Sequence, residues 1–178
     1  MQVGLAARAR VTLVLSALLV ASCSGPAPAE NQQAKPDFIV MDMMTVKDGK
    51  GLYAANRNGT ITEIPFTLDL AKVDPERGHD SEQIGQTAAA VVMLDRYATR
   101  AARGDACFDP QQGREAFVRV FSLELRRELF ARSVASCRDG VAAADPQVRW
   151  IGPDSFRIEG KQPETFRITG ADRVDLVP

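Results

Sequence analysis

Along residues 148–177, apolar and polar side chains alternate in short runs broken by turn residues. Val148 to Ile151, Ser155 to Glu159, Thr165 to Thr169 and Arg173 to Val177 are separated by Gly152-Pro153-Asp154, Gly160 to Pro163 and Gly170 to Asp172. A period of two, punctuated by glycine and proline, predicts strands joined by tight turns. The stretch from Ser155 to Gly160 nearly recurs from Thr165 to Gly170. Two copies are too few for a solenoid and fit neighbouring strands of one antiparallel β-meander. Phe156, Ile158, Phe166, Ile168, Val174 and Leu176 then face the core, with Trp150 beside them.

The pattern at the other end is similar. Asp37 to Lys47 is rich in β-formers, Asp48 to Gly51 supplies a turn, and Leu52 to Asn56 is a short strand. Asn58-Gly59 tolerates positive φ at both positions and favours a hairpin into Thr60 to Leu70, where Pro65 marks an edge or an end. The triplet Asn58-Gly59-Thr60 also fits a glycosylation acceptor, but the turn accounts for it.

Between these regions the period changes. Asp80-Ser81-Glu82-Gln83 offers a helix cap, after which Ile84, Ala88, Val91, Val92, Ala98 and Ala101 recur at helical spacing, so a helix is expected to about Arg103. Gln111 to Ser136 reads as a second long helix, carrying Glu115/Arg119 and Glu128/Arg132 as i,i+4 surface pairs. Cys107 and Cys137 object to it. A helix from Gly113 to Ser136 is about 36 Å long. The steps from Cys107 to Gly113 reach back at most about 21 Å. A bridge needs Cα atoms about 4.4–6.8 Å apart. The helix must therefore break if the cysteines pair, and Ser122 is the natural cap for a second one. The expected fold is α+β: an N-terminal β-hairpin region, central helices clamped by a disulfide, and a C-terminal antiparallel meander. Helices followed by a curved sheet also resemble the cone-shaped domain of nuclear-transport-factor-like proteins, although strands ahead of the first helix depart from that pattern.

The first 22 residues are of another kind. Arg8 and Arg10 precede an apolar core from Val11 to Ala21, interrupted only by Thr12 and Ser16. This is the length of a secretion signal and too short to span a bilayer. Val20-Ala21-Ser22-Cys23 closes it and resembles the lipobox of bacterial lipoproteins. The resemblance covers the leader alone. It implies cleavage before Cys23, lipid on that thiol, and an envelope location, with Ser24 rather than an aspartate pointing to the outer membrane facing the periplasm. Two or three acyl chains on one residue anchor stably. Ser24 to Pro36 holds three prolines and no apolar side chain larger than alanine. It reads as a tether, with residues 37–178 as a single domain.

Composition narrows the chemistry. Removing the leader takes two arginines and no acids, shifting the formal charge from −1 to −3. So weak a balance argues against non-specific nucleic-acid binding. With Cys23 taken by lipid, Cys107 and Cys137 form an even pair in an oxidising compartment and are expected as a disulfide. Two thiols lack the further ligands zinc needs, so neither metal nor cofactor is called for. The single histidine, His79, stands beside Asp80 without a nearby nucleophile to activate, and no nucleophile elbow, metalloprotease helix or phosphate loop is present. Glu63, Asp105 and Asp109 could converge only through folding.

One positive feature remains. If the apolar positions of the C-terminal strands point inward, Arg149, Arg157, Arg167 and Arg173 share the outer face. Aligned guanidinium groups repel unless interleaved with acids, here Glu159, Glu164, Asp172 and Asp175, or met by an anionic partner. The expectation is a non-enzymatic, membrane-anchored envelope protein that binds another macromolecule, such as an envelope protein or peptidoglycan. An assembly accessory, an inhibitor or an immunity factor would fit. The rival is a small-ligand or hydrolytic domain with a pocket between helices and sheet.

Overall fold

A computed structural model describes residues 39–109, 113–140 and 147–178, excluding the side chains of residues 44–46. The leader, Cys23 and the tether lie outside the described residues.

Three antiparallel meanders follow one another along the chain. The first sheet contains β1 (Ile39–Lys47), β2 (Lys50–Arg57) and β3 (Thr60–Thr67). The central sheet contains β4 (His79–Gln86), β5 (Ala90–Ala98), β6 (Arg114–Ser122) and β7 (Arg127–Ser136). The third contains β8 (Val148–Trp150), β9 (Ser155–Ile158), β10 (Glu164–Thr169) and β11 (Arg173–Val177). Strand order equals chain order in every sheet. Asn58 and Gly59 adopt φ of 52° and 86°, so the hairpin turn closes on the Arg57–Thr60 pair with the geometry that matches strand twist. Asp48 and Gly49 do the same between β1 and β2.

The central sheet is covered on both faces. Val91, Met93, Tyr97 and Phe121 pack with Ile39, Tyr53, Ile64 and Phe66 of the first sheet. Ala90, Val92, Leu94, Val118 and Val120 pack with Phe156, Ile158, Phe166 and Ile168 of the third. The result is a three-layer all-β stack with two hydrophobic cores. The outer sheets each keep one face for solvent, which is why their strands alternate cleanly.

The α+β expectation is overturned. Among the described residues the only helical element is the 3₁₀ turn Ala106–Phe108. The helix expected from Asp80 to Arg103 is instead the β4–β5 hairpin. Asp80-Ser81-Glu82-Gln83 is therefore strand, not a cap. The helix pair expected within Gln111 to Ser136 is the β6–β7 hairpin. The likeness to the nuclear-transport-factor cone falls with the helices. The physical reason is two-sided burial: a strand buried on both faces loses its polar alternation and shows a continuous apolar run, which helical spacing also fits.

Ser122 does mark a break, because β6 ends there and its side chain accepts a bond from Leu125 N at 3.0 Å. The return of β7 places Ser136 opposite Glu115, and Cys137 N donates to Arg114 O at 3.2 Å. This brings Cys137 to Cys107, and the two form a disulfide with Cα atoms 5.9 Å apart. A hairpin removes the length conflict that a straight helix created.

Trp150 lies half-buried on the second core against Gly85, where a register shift interrupts the β4–β5 pairing. A Cβ at Gly85 would overlap the Trp150 ring. Leu176, expected inside, is exposed on the edge strand β11. Gly85→Ala is expected to destabilise the fold by about 1–3 kcal/mol through overpacking, measured by denaturant unfolding. Reducing the Cys107–Cys137 bridge, which spans 30 positions, should cost about 3 kcal/mol in the same assay.

Candidate functional site

Alternation along β8 to β11 places Arg149, Arg157, Arg167 and Arg173 on the outer face of the third sheet, opposite Phe156, Phe166 and Ile168. Their registers separate them into two kinds. Arg167 faces Asp175 across the β10–β11 ladder and its Nε stands 3.9 Å from Asp154, while Arg173 Nε is 2.9 Å from Asp175. Arg149 and Arg157 are direct cross-strand partners. Arg157 Nε is 3.5 Å from Glu159, whereas Arg149 donates to the neutral amide of Gln147 at 3.0 Å. Glu164, a candidate for neutralising the row, reaches Arg132 of β7 instead. Arg149 thus bonds a neutral group, and it stands directly opposite a second guanidinium, that of Arg157. Like charges placed directly opposite each other cost stability that an anionic partner would return.

The other sequence candidates disperse. His79 opens β4 with an exposed side chain, its Nδ1 3.4 Å from Pro75 O. Asp80 does not orient it, because its carboxylate is held by Arg114 at 2.8 Å and Arg96 at 3.7 Å. Asp105 caps the 3₁₀ turn by accepting from Cys107 N at 2.8 Å. Glu63 is exposed on β3 and Asp109 follows the turn. Among the described residues, no group of three or more histidine, cysteine or acidic side chains could hold a metal, and no helix is long and apolar enough to cross a membrane.

Sequence reasoning missed a polar network between the first and central sheets. Asp95 of β5 is fully buried, and Arg119 of β6 nearly so. Asp95 accepts from the Tyr53 hydroxyl and, at 3.3 Å, from the Tyr97 hydroxyl. Arg119 Nε lies 3.1 Å from Asp95 Oδ2, and its NH1 donates to Glu128 of β7. The Arg119 guanidinium sits 5.0 Å from the centre of the Phe66 ring, and the Tyr53 hydroxyl lies 2.8 Å from Ser81 Oγ. Asp95, Arg119 and Glu128 come from three successive strands, β5, β6 and β7, and their register brings them together. A substrate could reach Asp95 only by parting two sheets, so the network ties layers together rather than forming a reacting centre.

One cation is shared by a buried carboxylate, Asp95, and a half-buried one, Glu128. Burial pushes the carboxyl groups of Asp95 and Glu128 above their ordinary values, although Arg119 pulls both down. Burial likewise pushes the Tyr53 and Tyr97 hydroxyls up, keeping them protonated as donors. A carboxyl group with a raised folded-state pKa contributes its stability fully below its unfolded value. It loses that contribution as pH rises through the folded value.

A cleft of about 680 Å³ opens where the β2–β3 hairpin runs past the turns of the central sheet. No family model, curated protein or solved structure matches the chain.

Unfolding titrations should show the Glu128 contribution fading as pH rises above its ordinary value of 4.5. Glu128→Gln is expected to flatten that slope. An unchanged slope in the variant would remove Glu128 from the account.

Proposed function

We propose that the protein is a lipid-anchored envelope protein whose β-stack binds an anionic macromolecule and performs no catalysis. The observation that carries the location is cysteine usage. Cys107 and Cys137 are paired, leaving Cys23 as the odd cysteine, and it stands directly behind Val20-Ala21-Ser22. A disulfide inside a domain suits an oxidising compartment, and a lipidated N-terminal cysteine suits a tether at the membrane. The resemblance to a lipobox supports the lipid anchor, and Ser24 rather than an aspartate behind Cys23 supports the outer membrane, facing the periplasm, as its place.

The binding reading rests on Arg149 and Arg157, paired across β8 and β9 on the solvent face of the third sheet. Arginine presents a planar fork of donors suited to carboxylate and phosphate groups. Peptidoglycan and acidic surfaces of other envelope proteins both offer such groups.

Two measurements test these statements. Cys23→Ser is expected to move the protein from the membrane fraction to the soluble fraction on ultracentrifugation. Retention in the membrane would remove the lipid anchor. Arg149→Glu converts a like-charge pair into an opposite one and should raise stability by about 0.5 kcal/mol. The same variant, prepared as the full protein in detergent, should lose cosedimentation with purified peptidoglycan sacculi or with a purified envelope partner. A variant that folds and still binds as the parent does would show that this face is not the interface.

A further inference from the structure

Among the described residues, six strands lie at sheet edges: β1 and β3, β4 and β7, β8 and β11. An edge strand offers a row of main-chain donors and acceptors to any strand that meets it, and folds guard such rows with bulges, proline or short length. Five of the six carry a guard of this kind. β1 is bulged between Met43 and Thr45, β4 between Gln83 and Gly85, and β7 at two places along its ladder with β6. β3 contains Pro65, which has no N–H to donate, and β8 is three residues long. β11 is different. It pairs with β10 through five consecutive positions without a shift and contains no proline, and its Leu176 is more than half exposed.

We propose that β11 pairs antiparallel with β11 of a second copy of this chain, joining two four-stranded sheets across a two-fold axis. Alternate residues of a strand point their main-chain donors and acceptors to the same side. Residues that face each other must therefore agree in parity, and the axis must pass through a residue that meets its own copy. Centred on Arg173 or Asp175, the seam would set like charges directly opposite. Centred on Leu176, it would set Asp175 against the partner's Val177 and form no charge pair. Centred on Val174, it sets Arg173 against the partner's Asp175, and symmetry repeats that pair. The outer face then runs from Arg167 to Asp175 to the partner's Arg173, alternating in sign across the seam. Asp175 already accepts from Thr169 Oγ1 at 3.0 Å and stands 2.9 Å from Arg173 Nε. A carboxylate takes about four hydrogen bonds, which leaves room for a second guanidinium. On the inner face Val174, packed on the second core, meets its copy, and each exposed Leu176 is covered on the diagonal. Charge order selects a second copy as the occupant, because the same two side chains supply both halves of each pair.

Pairing along one edge buries little surface, so the association is weak and is read at high protein concentration. The test is sedimentation equilibrium of the full protein in detergent, with micelles in excess. A reversible dimer is expected. Arg173→Asp alone, or Asp175→Arg alone, turns both seam pairs into like charges and should weaken self-association about tenfold or more. An equimolar mixture of the two variants should dimerise again, because each supplies the charge the other lacks. Recovery in the mixture separates a lost seam from a damaged fold. A second measurement fixes the register without changing a charge. Val174→Cys should bridge to its own copy under mild oxidation, since facing Cα atoms lie within disulfide reach. Leu176→Cys should not, although it is more exposed, because its copy stands four positions along the strand, roughly 13 Å away. A monomer at every concentration overturns the proposal, as does a dimer that both charge reversals leave intact. Bridging at Leu176 as fast as at Val174 overturns the seam centred on Val174. None of these variants touches Cys23 or Arg149, so the outcome is independent of the anchor and of the arginine face.

Discussion

Burial of the central sheet on both faces is the constraint from which the other features follow. Each strand of β5 and β6 must be apolar in both directions, so Ala90, Val92 and Leu94 serve the third sheet while Val91, Met93 and Tyr97 serve the first. Polar side chains in such a sheet must find partners inside the protein. Asp95 and Arg119 do so with each other, with two tyrosine hydroxyls and with Glu128. Removing one member would strand a buried charge, which is costly, whereas the intact set need add little net stability. The network also favours one pairing of the first and central sheets, because only that pairing brings Tyr53 over Asp95.

The same constraint decides where function can sit. β5 and β6, sealed on both faces, offer no surface, so recognition falls to the outer sheets, to the exposed parts of β4 and β7 and to places where the layers separate. The third sheet exposes Arg149 and Arg157 as neighbours; Arg157, Arg167 and Arg173 each have a nearby carboxylate, whereas Arg149 bonds the neutral amide of Gln147. The first sheet leaves its sandwich partner near Ala55 and Thr62, where a cleft opens.

The outer layers were legible in the sequence because each has a wet face. Period-two alternation, the near-repeat from Ser155 to Thr169 and the Asn58-Gly59 turn all reflect one-sided burial and hairpin geometry. The central layer was not legible from apolar spacing, since Val91, Val92 and Ala98 satisfy a helical stripe as readily as a fully buried strand. Signals for a strand were present: Val118 and Val120 alternate with Phe117, Arg119 and Phe121, and β-branched residues favour a pleated backbone. The cysteine spacing required a break at Ser122 but could not say whether helices or strands met there. Glu115/Arg119 and Glu128/Arg132 were misleading for the same reason. Arg119 bonds Glu128, Arg132 meets Glu164, and Glu115 accepts from Thr99. Of the candidate sites, the arginine face followed from alternation. The cleft and the Asp95 network depend on register between distant strands, which no local pattern records.

The most direct test of a doubly covered central sheet is native-state hydrogen exchange resolved to single amides. Backbone groups in the middle of β5 and β6 should exchange last and only through global unfolding, with β1 and β11 opening at lower free energy. If β5 amides exchanged as early as those of the outer edge strands, the central sheet would not be the shared core, and the three-layer account would be contradicted.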